Sequence, residues 1–341
     1  MAEAILEVRG LKVRFATEDG TVRAVDGVDF ELQRGQVLGI VGESGSGKSV
    51  TALTVLGLTR AANTMFEGEV LYKGDNLLSM SERRLRSVRG NEIAMIFQDP
   101  MTSLNPVYRV GDQITEAILT HEDIGKRMAK NRAVELLKQV GIPNPEQRVY
   151  DFPHQFSGGM RQRAMIAMGL ANNPDILIAD EPTTALDVTI QAQIIELIDR
   201  LKDDFNSSVI LITHDLGVVA DVADEILVMY AGRVVERGAK RALFYDPQMP
   251  YTWGLLGSIP RLDRPRGGRL ASIKGAPPSL INLPTGCKFR PRCPHAFEKC
   301  VEEPELLNRV DEPGHLDRCW LSVDEKRSVR EATIRGEVTA A

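Results

Sequence analysis

The sequence predicts an α/β fold: a mostly parallel sheet covered by helices, with an antiparallel β-subdomain before it, a helical subdomain within it and a small cysteine-rich domain after it. Three observations predict this. Short apolar runs alternate with helical stretches through roughly the first 260 residues, the pattern of strands buried on both faces. A glycine-rich loop joins one of these runs directly to a helix. All four cysteines fall in the last sixth of the chain.

The first forty residues alternate polar and apolar, with Leu6, Val8, Leu11, Val13 and Phe15 and then Val22, Ala24, Val28, Phe30 and Leu32 at strand spacing. They predict the antiparallel β-layer. The run from Gln36 to Gly42 is a short buried strand, and it leads through the glycine loop into helical spacing from Ser49 onward. From about Val107 to Gly141 the period is helical, with Ala133, Leu136, Leu137 and Val140 on one face and Lys126, Arg127, Lys130 and Lys138 elsewhere. The helical subdomain is expected over about 105–172. Two further buried strands, Asp175 to Asp180 and Ser208 to His214, bracket a helix from Val188 to Asp203. Beyond Ile259, prolines and glycines from Pro260 to Pro284 mark a linker. The expected domains are therefore 1–260, which carries the chemistry, and 261–341, a linker and cysteine-bearing accessory region.

Composition narrows the function. The chain has 341 residues, enough for two domains, and its 43% hydrophobic and 26% charged residues are those of an ordinary folded protein. A net charge of −5, with Lys and Arg scattered, lacks the basic stripe of a nucleic-acid binder, so no nucleic acid is expected as partner. The first residues, Met-Ala-Glu-Ala-Ile-Leu-Glu, lack the basic start and apolar run of a secretory signal. Apolar runs such as Ile176 to Ala179 are too short to cross a bilayer, so membrane association is expected through a partner.

The loop Gly42, Glu43, Ser44, Gly45, Ser46, Gly47, Lys48, Ser49 fits the phosphate-loop pattern, in which small residues let backbone N–H groups turn inward around a polyphosphate. Lys48 is expected on the β and γ phosphates, Ser49 on Mg²⁺, and Val50 in the first turn of the following helix. Asp180, at the tip of a buried strand, supplies a carboxylate for the same Mg²⁺, and Glu181 is placed to polarise an attacking water as a general base. Ser157, Gly158 and Gly159 open a helix and offer a second cradle of backbone N–H groups. Two such cradles in one chain make sense when they meet across an interface.

With these motifs in this order, the chain resembles the ATP-binding-cassette (ABC) ATPases, which are P-loop NTPases. The resemblance implies ATP and Mg²⁺ as ligands and a head-to-tail pair of nucleotide domains, the Ser-Gly-Gly element of one closing on the γ-phosphate held by the other. It implies that Gln98 contacts Mg²⁺ and the attacking water, that Thr184 to Asp187 form the loop communicating across the pair, and that His214 contacts the γ-phosphate. It also implies that Phe15 stacks on adenine, although an aromatic in an amphipathic strand is usually core. Phe156 and Met160 depart from the commonest form of the Ser-Gly-Gly element, whose phosphate-facing residues are kept.

Longer strings, Phe97 to Pro106, His154 to Arg163 and Pro250-Tyr-Thr with Leu255-Leu, resemble the oligopeptide and dipeptide importers within that family. Met249 departs from the histidine usual there. This resemblance implies coupling of ATP hydrolysis to peptide uptake, a paralogous ATPase as heterodimer partner, two transmembrane permeases and a periplasmic or extracellular substrate-binding protein. It implies a peripheral place on the cytoplasmic face of the inner membrane. Heme-like or opine-type solutes are alternative cargoes. A non-transport cassette switch would carry two nucleotide domains or a long coiled coil, and a module that binds ATP without turnover would lack Glu181 or His214.

Cys287, Cys293, Cys300 and Cys319 are separated by five, six and eighteen residues. Disulfides rarely persist in a reducing compartment. Four thiolates suit Zn²⁺ or an iron–sulfur cluster, but the close pairs usual for structural zinc are missing. The subfamily resemblance implies a [4Fe–4S] cluster, with Zn²⁺ and free buried thiols as the alternatives.

Overall fold

The computed structural model describes residues 4–98, 103–184, 186–259 and 273–335. Outside the described residues lie 99–102 of the Phe97 to Pro106 string, Ala185 of the Thr184 to Asp187 loop, and 260–272, which hold the expected domain boundary and much of the linker. The strands in chain order are β1 (Ala4–Thr17), β2 (Gly20–Gln33), β3 (Val37–Val41), β4 (Thr64–Tyr72), β5 (Asp75–Asn76), β6 (Ile93–Ile96), β7 (Ile176–Asp180), β8 (Ser208–Thr213), β9 (Glu225–Tyr230), β10 (Arg233–Ala239), β11 (Leu307–Asn308) and β12 (Leu316–Asp317). The chain divides into two compact units. The first takes the described residues of Met1–Ile5, Leu32–Val37 and Ser79–Ile212, and the second those of Leu6–Glu31, Leu38–Leu78 and Thr213–Ala341.

In the first unit β6, β7 and β8 run parallel, with Ile93 opposite Ile176 and Ile176 opposite Ser208. All five residues of β7 and all six of β8 are buried, as strands covered on both faces must be. The expected helical stretch resolves into two helices, Val110–Leu119 and Lys126–Gln139. Gly125 caps the second and Gly141, with φ of 75°, follows it as a left-handed terminator. Ala133, Leu136, Leu137 and Val140 are all buried, and Lys126, Arg127 and Lys138 are exposed, as the period predicts. The unit also holds the helices Glu82–Val88, Pro145–Arg148, Gly158–Gly169 and Val188–Phe205.

In the second unit β1, β2, β4 and β5 form a four-stranded sheet in the order β2-β1-β4-β5, the expected antiparallel layer. Leu6, Val8, Leu11 and Val13 face its core. Beside it, β3 pairs parallel with β9, β9 pairs antiparallel with β10, and the short β12 and β11 continue from β10. The chain from Ile273 onward thus adds strands to a sheet that includes β3, the strand feeding the glycine loop. Buried ionic contacts fix it there: His315 Nε2 lies 2.9 Å from Glu236 Oε1, and Lys326 Nζ donates to Asp317 at 2.7 Å. Among the described residues no helix is long and apolar enough to cross a membrane.

Candidate functional site

The glycine loop leaves β3 and enters the Lys48–Val55 helix. Gly42, Gly45 and Gly47 have φ of 153°, 76° and 101°. At Gly42 a Cβ would stand 2.2 Å from the Met229 carbonyl, and at Gly47 one would stand 2.4 Å from the Ala24 carbonyl. Both positions therefore exclude any side chain, for backbone conformation and for space alike. Lys48 is 4% exposed and curls back over the loop, its Nζ donating to the Gly42 carbonyl at 2.7 Å and the Glu43 carbonyl at 3.0 Å. An ammonium at a glycine-rich loop that opens a helix N-terminus suits a polyphosphate. Ser44 and Gly45 are exposed, Ser46 is buried, and Ser49 and Val50 are half-buried in the first helical turn.

Glu43 is held at two points. Its N–H donates to the Tyr251 hydroxyl at 2.9 Å. Its carboxylate receives both arms of Arg292, at 2.5 and 2.9 Å. In the same unit, His214 is exposed just after β8, and Phe15 is half-buried toward the end of β1, opposite Thr64. That partial exposure leaves Phe15 outside the core, where the alternative reading of an amphipathic strand would have put it.

In the first unit, Asp180 closes β7 and is buried. Glu181 follows with φ of 46°, a left-handed conformation uncommon for a residue with a side chain, and its N–H donates to the Ile212 carbonyl at 2.8 Å. Gln98 Nε2 and Thr184 Oγ1 each donate to Glu181 Oε2 at 2.9 Å. The structure thus brings Gln98 and Glu181 together, and adds Thr184, which sequence reasoning had placed in the Thr184 to Asp187 loop without a partner. Such strain at a carboxylate turned by two neutral donors is typical of a functional position.

Ser157 caps the Gly158–Gly169 helix, its hydroxyl accepting from the Met160 N–H at 3.3 Å. The first amides of a helix have no intrahelical acceptor, so Gly158 and Gly159 present the cradle and Ser157 shapes it. Ser157 and Gly158 are exposed, and a Cβ on Gly159 would come within 3.2 Å of the Ile190 side chain. Asp187 is the cap of the Val188–Phe205 helix, accepting from the Ile190 N–H at 3.0 Å.

Cys287, Cys293, Cys300 and Cys319 are free thiols that line a single pocket together with Phe289 and Trp320. Burial pushes Cys293 and Cys319 up to about 12, which favours their neutral thiol forms. Among the described residues no group of three or more His, Cys, Asp or Glu side chains is placed to hold a metal ion.

Sequence reasoning missed two members of the loop's surroundings. Tyr251 lies within the Pro250-Tyr-Thr string, which marked a resemblance but no role. Arg292 carries no local signal, since its partner stands 249 positions away.

A family model described as ABC transporter matches residues 25–184, and one described as oligopeptide/dipeptide transporter, C-terminal region, matches residues 235–300. The oligopeptide transport ATP-binding protein OppD of Bacillus subtilis (strain 168) is 54% identical over 318 residues, 93% of this chain and 88% of that protein. The dipeptide transport ATP-binding protein DppD of the same organism is 52% identical over 321 residues, 94% and 95% of the two chains. Among solved structures, the dimeric bacterial ABC transporter cassette MJ0796 superposes with a TM-score of 0.62 at 26% identity, over 69% of this chain and 99% of that one.

Proposed function

This chain belongs to the ABC ATPases, in the family of oligopeptide and dipeptide transport ATP-binding proteins, and we propose that it is the ATP-hydrolysing subunit of an importer that takes up di- or oligopeptides. The observation that carries the hydrolytic reading is the constellation at Glu181: a carboxylate directly after Asp180, on a left-handed backbone, oriented by Gln98 and Thr184. A module that merely held ATP would have no use for it.

The phosphate loop would bind the triphosphate through its amides and Lys48. Ser49, Asp180 and Gln98 are the residues that would hold Mg²⁺, whose charge offsets that of the phosphates. Glu181 takes the proton of the attacking water, and His214 adds a donor toward the γ-phosphate. Ser157, Gly158 and Gly159 of one cassette would close on the nucleotide of another, a reading supported by the dimer formed by the MJ0796 cassette. Phe15, partly exposed, is kept as the adenine-stacking residue. Rate enhancement on this scheme comes from positioning and charge neutralisation.

The cargo assignment rests on relatives named for oligopeptide and for dipeptide transport, which together define short peptides as the class. The partners proposed are two transmembrane permeases, a paralogous ATPase and an external substrate-binding protein. The chain would sit peripherally on the cytoplasmic face of the inner membrane, held by the permeases. For the cysteine pocket we favour a [4Fe–4S] cluster over Zn²⁺: four thiols line one pocket, and the sequence lacks the close cysteine pairs usual for structural zinc. Bound there, the cluster would staple the segment that carries Arg292. Anaerobically purified protein is expected to contain iron and acid-labile sulfide; zinc in stoichiometric amount instead would reverse the assignment.

The hydrolytic reading is tested by Mg²⁺-dependent ATP turnover of the assembled transporter beside its Glu181→Gln variant. Turnover is expected to fall by about 100-fold or more, the scale of a lost general base, with ATP binding retained. Equal rates would remove Glu181 as the base.

A further inference from the structure

We infer that Arg292 is a positioning residue of the phosphate loop, and that the cysteine-bearing segment sets the shape of that loop by gripping Glu43. The inference rests on the reading of Gly42 to Ser49 as the nucleotide site. Arg292 stands immediately before Cys293, and its side chain is 5% exposed. Its guanidinium meets an acceptor at every nitrogen. Nε donates to the Lys274 carbonyl at 3.0 Å, Nη1 to Glu43 Oε2 at 2.5 Å and the Tyr230 hydroxyl at 3.3 Å, and Nη2 to Glu43 Oε1 at 2.9 Å and the Gly275 carbonyl at 3.0 Å. The planar fork is thus fixed by the backbone of the C-terminal segment and by β9, and it presents a bidentate face to a single residue of the loop.

That residue is well chosen. Glu43 follows Gly42, and the loop beyond it contains Gly45 and Gly47, so its backbone has few intrinsic restraints. An unrestrained glycine loop must be ordered when a ligand binds, and prior ordering is repaid in affinity. Arg292 fixes the side chain of Glu43 while Tyr251 fixes its N–H. Tyr230, Tyr251 and Phe289 pack against one another with ring centroids 4.7 to 5.3 Å apart, and Arg292 lies over the Tyr230 ring. Two contacts on one loop residue therefore issue from one aromatic cluster, to which the cysteine segment contributes Phe289. Because Glu43 is gripped on its carboxylate rather than on a phosphate-facing atom, Arg292 acts on binding and not on the chemical step.

The test uses the full chain within its assembled transporter, with a fluorescent ATP analogue for affinity and steady-state ATP hydrolysis for KM and kcat. Arg292→Lys keeps the charge but loses the fork; Glu43→Gln keeps the shape but loses the acceptor charge. Each is expected to raise Kd and the KM for ATP by about tenfold, as loss of a charge-assisted bidentate pair does, with kcat at saturating ATP within about twofold of wild type. The double variant is expected to be no worse than the poorer single, since both remove one interaction. Values of Kd and KM within about twofold of wild type in both singles would overturn the inference, and so would additive losses in the double. If Arg292→Lys fails to fold, Glu43→Gln, whose side chain is partly exposed, decides alone. Lys48→Ala separates the two readings: retained nucleotide affinity there would remove the loop as the nucleotide site, whatever Arg292 does.

Discussion

Glu43 follows the first glycine of the glycine loop and Glu181 follows Asp180, and their neighbours suit these two carboxylates to opposite tasks. Glu43 faces a guanidinium on both oxygens, which cancels its charge and makes it an anchor. Glu181 Oε2 accepts from an amide and a hydroxyl, neutral donors that orient the carboxylate. A base needs orientation with its charge intact, and a structural pin needs the reverse. The glycines of the loop divide in the same way. Gly42 and Gly47 are required by close carbonyls, whereas a Cβ on Gly45 would meet nothing within 4 Å, and its positive φ alone calls for glycine.

At the scale of elements, the described chain from Ile273 onward is secured by buried charged contacts. Glu236 on β10 is fully buried and accepts from the Gln248 and Met249 N–H groups at 2.5 and 3.2 Å, with His315 at 2.9 Å beside β12. Burial works against a charged His315 ring, and the Glu236 carboxylate outweighs it, so the pKa stands above the usual 6.5. A histidine that binds its proton more tightly when folded contributes stability fully below about pH 6.5 and loses it as pH rises through the raised value. Unfolding followed in urea between pH 6 and pH 9 is expected to show wild type losing stability across that window. His315→Gln, which cannot be charged, is expected to show a flatter profile. A variant with the wild-type slope would place the pH dependence elsewhere.

For the whole molecule, what was legible in the sequence was local. The strand, loop and helix around Lys48, the buried strand ending at Asp180, and the alternation of β1 and β2 are each written within about a dozen residues, where period and glycine placement carry the signal. The return of Arg292 to Glu43, and of β12 to β10, joins positions far apart in sequence, and no periodicity encodes such pairings. The break between the Val110–Leu119 and Lys126–Gln139 helices was likewise hidden in one helical stretch. The same locality exposes the second cradle at Ser157, Gly158 and Gly159, a helix N-terminus that no residue of its own loop fills with an anion. On the proposed reading this cradle would take the nucleotide of another cassette, and assembly would then depend on ATP. Slowing hydrolysis through Glu181→Gln should let that assembly accumulate: with Mg²⁺, ATP and the partner subunits present, light scattering is expected to show two cassettes held together, and to show separation when ATP is withdrawn. Adding Ser157→Arg places a long charged side chain where the γ-phosphate would dock and leaves the phosphate loop untouched. That double variant is expected to bind ATP and remain apart from its partner cassette. Persistence of the pair despite Ser157→Arg would mean that this helix N-terminus does not bridge the cassettes and that their contact is made by other surfaces.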